Sequence, residues 1–231
     1  MANATEMKLM TSNALRTVLG EIAPAFERAH GYRISVSFDP AQRMLKRIAA
    51  GETADAAIIS ASAIDQLTEQ GVIAPASRRK LARYGVGVAV RAGAPEPDIG
   101  SVEAFKRALL DAKSIACTVE GASGIYFSKL IERLGIAAEV NAKAVRRGGG
   151  LIAELVAAGE AELAVQQVPE LLAVPGVKLL GAFPQELQNI SVLAAGVFSA
   201  SKLPQAGAAL IDFLSTPEAA RVFRAKGFEP G

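Results

Sequence analysis

The chain has 231 residues, 51% hydrophobic and 21% charged, with 25 basic and 23 acidic side chains, one Cys, one His and no Trp. A lone Cys117 excludes an internal disulfide, and with His30 as the single imidazole no zinc site can be built from those ligand types. The net charge of +2, with its signs interspersed, supplies no basic face for nucleic acid, and no uncharged run reaches the roughly 18 residues of a membrane helix. A soluble globular monomer is expected, with no metal, no cofactor and no nucleic-acid partner. Met1-Ala2-Asn3-Ala4-Thr5-Glu6 lacks the basic and apolar regions of a secretory signal. The expected location is therefore cytoplasmic for the chain as written, and periplasmic if a leader has been trimmed.

The elements alternate along the chain. Met7 to Met10 reads as a first strand, and a Thr11-Ser12-Asn13 turn leads into a helix from Ala14 to Ala29 with Leu15, Val18, Leu19, Ile22 and Phe26 on one face. Gly31 closes that helix, and His30 beside it reads as a cation near a helix C-terminus. Arg33 to Phe38 alternates as a strand. Asp39 is then expected to cap a helix whose first residue is Pro40 and whose stripe is Met44, Leu45 and Ile48. Ala54 to Ile59 is a buried strand with a polar exit at Ser60, followed by a helix from Ile64 to Gln70.

A long strand is expected from Arg83 to Arg91, and Ser101 begins a further helix. A second series then follows: strand Ser114 to Val119, helix Ser123 to Leu134, strand Ala142 to Arg146, helix Gly149 to Ala158 and strand Glu162 to Gln166. Val192 to Ser199 is the last strand, and Pro204 to Leu214 and Pro217 to Ala225 form a helical tail. Strands alternating with helices imply α/β architecture with parallel sheets, and two series imply two Rossmann-like lobes joined by a two-strand hinge. The expected division is residues 1–82 with 196–231 in one lobe and 83–195 in the other.

Ligands of open α/β sheets sit beyond the strands' carboxyl ends, where the first N–H groups of the next helix are unpaired. The residues there form a consistent set: Ser12 and Asn13, Asp39 to Gln42, Ser60 to Ser62, Glu120 to Gly124, Arg147 to Gly150, and Gln166 with Gln167. Small hydroxyls, amides and glycines dominate. Each serine taken alone is also an ordinary helix cap. Gly148-Gly149-Gly150 lacks the Lys-Ser/Thr of a phosphate loop, and Gly121 to Gly124 lacks dinucleotide spacing. Gln166 and Gln167 adjoin an apolar strand, so at least one needs a partner.

Leu9 to Leu15, Ile22 to Glu27, Val36 to Phe38 and Ile48 to Ser60, above all its Gly51 to Ser60 part, resemble the molybdate-binding-protein type of periplasmic solute-binding protein. The likeness continues through Leu67 to Ile73 and Phe213 to Ala220. It implies the type II periplasmic-binding-protein fold, in which two lobes close on a small anion. It also implies an ABC transporter permease as partner for an exported chain. By match, Ser12 and Ser60 fall at the first and third anion-binding positions. At the second, where the family commonly has Gly and Ser, this chain has Asp39-Pro40-Ala41-Gln42-Arg43, and Gln42 or Arg43 suits a larger carboxylated ligand. Gly121 to Phe127 and Ala164 to Leu172 look like a subgroup often lacking export signals, to which aconitate isomerase is similar in type.

Two readings stand. In the first, Ser12, Asn13, Gln42, Arg43, Ser60, Ala61, Ser123, Gly124 and Gln166 bind a carboxylate or tetrahedral oxyanion. In the second, the chain is an isomerase of an unsaturated polycarboxylate, which needs a base and carboxylate clamps. Asp39 and Tyr126 are the candidate catalytic residues, with Glu120 and Tyr84 behind them, and Arg43, Arg146 or Arg147 are candidate clamps.

Overall fold

The apolar strands gather into two separate sheets in the computed structural model, which describes residues 5–230. In chain order the first elements are β1 (Thr5–Thr11), a 3-10 turn (Asn13–Leu15), α1 (Arg16–His30), β2 (Tyr32–Phe38), α2 (Ala41–Ala49), β3 (Ala56–Ser60), α3 (Ala61–Glu69) and β4 (Arg79–Tyr84). The chain then builds β5 (Val86–Arg91), α4 (Val102–Asp111), β6 (Ile115–Thr118), α5 (Ala122–Arg133), α6 (Ala137–Ala142), β7 (Ala144–Arg147), α7 (Ala153–Ala157), β8 (Leu163–Gln167), α8 (Val168–Leu172) and β9 (Val177–Ala182). It ends with β10 (Ser191–Val197), α9 (Pro204–Leu214), α10 (Pro217–Ala225) and β11 (Glu229–Pro230). Two compact units result, one from the residues up to Arg83 together with those from Ser191 onward, the other from Tyr84–Ile190.

In the first unit the strand order is β11-β4-β10-β3-β1-β2. The pairs β1–β2 and β1–β3 are parallel, and Thr11 faces both Phe38 and Ile58, so β1 and β2 finish level and β3 runs two residues further, to Ser60. β10 runs antiparallel to β3, with Leu193 opposite Ser60. α1 lays Val18, Leu19, Ile22 and Phe26 on the core, as its spacing predicts, and Gly31 ends it in the left-handed conformation at φ 72° that favours glycine. His30, in its last turn, stacks on Phe26 at 4.7 Å between ring centroids.

In the second unit the order is β7-β6-β8-β5-β9. β6 pairs in parallel with β7 and β8, whereas β5 is antiparallel to both β8 and β9. Both sheets are thus mixed, not parallel as expected. The single long strand expected from Arg83 to Arg91 is divided at Gly85, with β4 in one sheet and β5 in the other. A Cβ at Gly85 would stand 2.7 Å from the Gln188 side chain, which hydrogen-bonds Val86 at both its N–H (2.8 Å) and its carbonyl (3.0 Å). That amide imitates an antiparallel neighbour beside the start of β5.

Asp55, just before β3, secures the opposite end of the first unit's strands. Its carboxylate accepts from the Lys8 backbone N–H at 2.8 Å and from the Ser201 hydroxyl at 2.6 Å. It is buried, so truncation strands both donors. Asp55→Ala is expected to cost about 2–4 kcal/mol, and Asp55→Asn less because one acceptor survives; urea unfolding of the two variants beside wild type checks the order.

Candidate anion-binding site

The neighbouring carboxyl ends of β1, β2 and β3 carry Ser12, Asp39 and Ser60. Ser12 and Ser60 both occupy N-cap positions, yet neither makes a side-chain capping bond. Elsewhere hydroxyls do cap: Ser101 accepts from the Ala104 N–H at 3.2 Å, and Thr216 from the Ala219 N–H at 3.2 Å. Capping therefore does not account for Ser12 or Ser60. The Ser12 Oγ is buried without a hydrogen-bond partner, while Ser60 lies 3.4 Å from the exposed Ser62 hydroxyl. Ala61 opens α3, so its N–H is among those the helix leaves unpaired. Asn13 is buried and accepts from Arg16 at 3.1 Å.

Asp39 is not the cap that the sequence suggested. The N-cap of α2 is Pro40, and the Asp39 carboxylate binds Arg47 at 2.6 Å and Arg43 at 3.2 Å. Two cations on α2 outbid a backbone N–H for it. Arg47 also pairs with Glu52, which, ahead of Asp39, holds its guanidinium above the usual range. This network neutralises Asp39. Gln42 is exposed on the first turn of the same helix.

In the second unit, β6 delivers Thr118 to the first turn of α5. A Cβ at Gly124 would lie 1.8 Å from the Thr118 carbonyl oxygen, so only glycine allows α5 to start this close to the strand. Ser123 beside it is 1% exposed. The Thr118 Oγ1 is buried without a hydrogen-bond partner. Gln166, at the end of β8, has its amide committed: Oε1 accepts from the Ile152 N–H at 2.9 Å and Nε2 donates to the Gly150 carbonyl at 2.7 Å. It thereby holds the glycine loop after β7. Tyr126 donates its hydroxyl to the Leu187 carbonyl at 2.9 Å, Arg146 donates to Asn141 at 2.6 Å, and Arg147 pairs with Glu154 at 3.5 Å.

Glu170 on α8 has no role in the sequence reading. Its residue keeps some exposure, but its carboxyl group is enclosed, and burial pushes it up to about 8 against the pull of hydrogen bonds from the Gln167 N–H and the Gln166 side chain. It stands at the third position after the Gln167 N-cap, the place from which a Glu reaches back to the cap N–H. That spacing was a signal available in the sequence. Thr118, a small hydroxyl before a glycine turn, offered a weaker one.

A family model described as bacterial extracellular solute-binding protein matches residues 7–229. The chain belongs to that family. It is 34% identical to an aconitate isomerase of a Pseudomonas species, over 98% of this chain and 88% of that one. The periplasmic molybdate-binding protein of Azotobacter vinelandii superposes with a TM-score of 0.81 at 18% identity, covering 97% of this chain and 99% of that one. The sulfate-binding protein of Mycobacterium tuberculosis H37Rv gives 0.77 at 18% identity, covering 98% and 87%. The family's two-lobe α/β fold is thus the fold of this chain. No helix among the described residues is long and apolar enough to cross a membrane.

Two outcomes follow from the second unit's geometry. Gly124→Ala is expected to cost about 1–3 kcal/mol by pushing α5 off β6, read as a lowered urea midpoint. Glu170 has a folded pKa raised above its unfolded value, so its neutral form favours the fold and that contribution is lost as pH rises from about 4.5 to about 8. Glu170→Gln, which cannot ionise, should gain on wild type by up to a few kcal/mol between about pH 5 and pH 8, at about 1.4 kcal/mol per unit; parallel urea curves that keep the same separation at both pH values would refute it.

Proposed function

We propose that this chain is a solute-binding protein for a small anion, a carboxylate or tetrahedral oxyanion, held by neutral donors at strand ends. The carrying observation is that Ser12 and Ser60 stand at N-caps without capping, which leaves the Ser12 hydroxyl without a partner, the Ser60 hydroxyl with only the exposed Ser62 hydroxyl, and the first-turn N–H groups open to a ligand. Such donors suit an anion because the partial positive charge of a helix N-terminus favours negative charge and because neutral hydroxyls and amides keep their donors across the neutral pH range. Ser12, Asn13, Ser60 and Ala61 serve in the first unit and Ser123 and Gly124 in the second, with Gln42 and Arg43 at the rim of the first. Gln166 acts indirectly, by fixing the loop at Gly150. In an exported chain the bound anion would pass to the permease of an ABC transporter.

A second reading, isomerisation of an unsaturated tricarboxylate, is favoured by the aconitate isomerase relative, which spans nearly the whole chain. A base would take a proton from the methylene carbon of trans-aconitate, and the allylic carbanion would be reprotonated at its far end as the double bond shifts. Asp39 lies between two arginines and Tyr126 is bonded to a carbonyl, so neither is poised as that base in this conformation. Binding therefore ranks first.

Isothermal titration against molybdate, tungstate, sulfate, citrate and both aconitates tests the first reading; heat with at least one is expected, and silence with all would sink it. Proton NMR of trans-aconitate incubated with the protein in heavy water tests the second. Conversion to the cis isomer with deuterium at carbon supports catalysis, and an unchanged spectrum removes it.

A further inference from the structure

Arg16, on the first turn of α1, is an exposed cation that forms no ion pair among the described residues. It is nonetheless held at two points. Its guanidinium carbon lies 4.2 Å over the centre of the Phe38 ring, at the end of β2, and its Nη2 is 3.1 Å from the Asn13 side chain. A guanidinium this close to the ring is held by attraction to its π face, a contact that spends none of its N–H donors on an acceptor.

The same contact settles the amide of Asn13. A guanidinium only donates, so Asn13 must turn Oδ1 toward Arg16 and Nδ2 away from it. That Nδ2 has no partner among the described residues, and it stands next in sequence to the buried, unpartnered Ser12 hydroxyl. Asp39, the carboxylate that follows Phe38 in the chain, is already engaged by Arg43 and Arg47. A planar fork of N–H groups and an amide donor are thus left open at the end of β1.

We propose that Arg16, with Asn13 oriented by it, is a carboxylate-binding subsite, and that the ligand of this chain is a polycarboxylate and not a tetrahedral oxyanion. The inference rests on the anion-binding reading above and narrows it. A fork of parallel N–H donors matches the two coplanar oxygens of a carboxylate, a fit that a tetrahedral ion does not reproduce and that a lysine ammonium cannot offer. Phe38 supplies the rigidity, because an unstacked arginine on an exposed turn would lose rotamer freedom on binding.

The experiment is calorimetric titration of wild type, Arg16→Gln, Arg16→Lys and the control Arg28→Gln, an exposed arginine in the last turn of the same helix, with citrate and trans-aconitate as probes and sulfate and molybdate beside them. Circular dichroism and urea midpoints verify that each variant folds. The expected result is a 10- to 100-fold loss of polycarboxylate affinity in Arg16→Gln, the scale of one charge-assisted contact, with only partial recovery in Arg16→Lys and none of the loss in Arg28→Gln. Undiminished polycarboxylate binding by Arg16→Gln overturns the subsite, and so does full recovery in Arg16→Lys, which would reduce it to a diffuse charge. A wild type that binds sulfate or molybdate but no polycarboxylate overturns the subsite while the anion reading stands; a wild type that binds none of these four, nor tungstate or cis-aconitate, ends both.

Discussion

The central strands of both sheets are buried on both faces. β3 contributes Ala56 to Ile59 and β10 contributes Leu193 to Ala195, all without exposed surface, while β8 is buried along its whole length. Such strands cannot carry an unsatisfied polar side chain along their middle, where burying one without a partner would cost a few kcal/mol. Polar chemistry is therefore driven to the strand ends. At one end Asp55 gathers the Lys8 N–H and the Ser201 hydroxyl into a closed structural cluster; at the other, the Ser12 hydroxyl has no partner, Asn13 is bonded through its Oδ1, and Ser60 meets only the exposed Ser62 hydroxyl. The two ends of the first sheet differ in satisfaction more than in composition.

The second unit divides its polar groups in the same way. Gln166 and Glu170 are spent on architecture, one tying down the glycine loop and the other returning to its own helix cap. Thr118, Ser123 and Gly124 cluster where α5 approaches β6 so closely that glycine is required. Glycine there acts by close approach, and the loop Gly148-Gly149-Gly150 acts through a carbonyl that Gln166 grips.

Much of this was legible in the sequence where the signal is local. The helices at Pro204–Leu214 and Pro217–Ala225 begin at prolines and carry strong apolar spacing, and their bounds agree with the reading. The strand-to-helix junctions followed from the same periodicity only to within a few residues: α3 begins at Ala61 and not at Ile64, and α5 begins at Ala122 with Gly121, not Ser123, as its N-cap. What escaped was decided by partners remote in sequence. Antiparallel pairing of β5 and β10 depends on which sheet each strand joins, and the half-exposed edge strand β9 lacks a buried face to announce it. Asp39 left its cap because Arg43 and Arg47 compete for it, and Arg16 gains its setting from Phe38, which belongs to another element.

The pairing of β10 with β3 also imposes an order on assembly. β10 joins the middle of the first sheet, yet all of the second unit intervenes between them in the chain. As the chain leaves the ribosome, one edge of the alanine- and isoleucine-rich β3 stays without its final neighbour until residues beyond Ser191 emerge, whereas the second unit is complete within Tyr84–Ile190. An apolar strand edge left open for that interval is a template for mispairing with other nascent chains. The sequence distance that lets one chain pass twice between its units thus makes the first unit the later of the two to finish and the more exposed to aggregation while it waits.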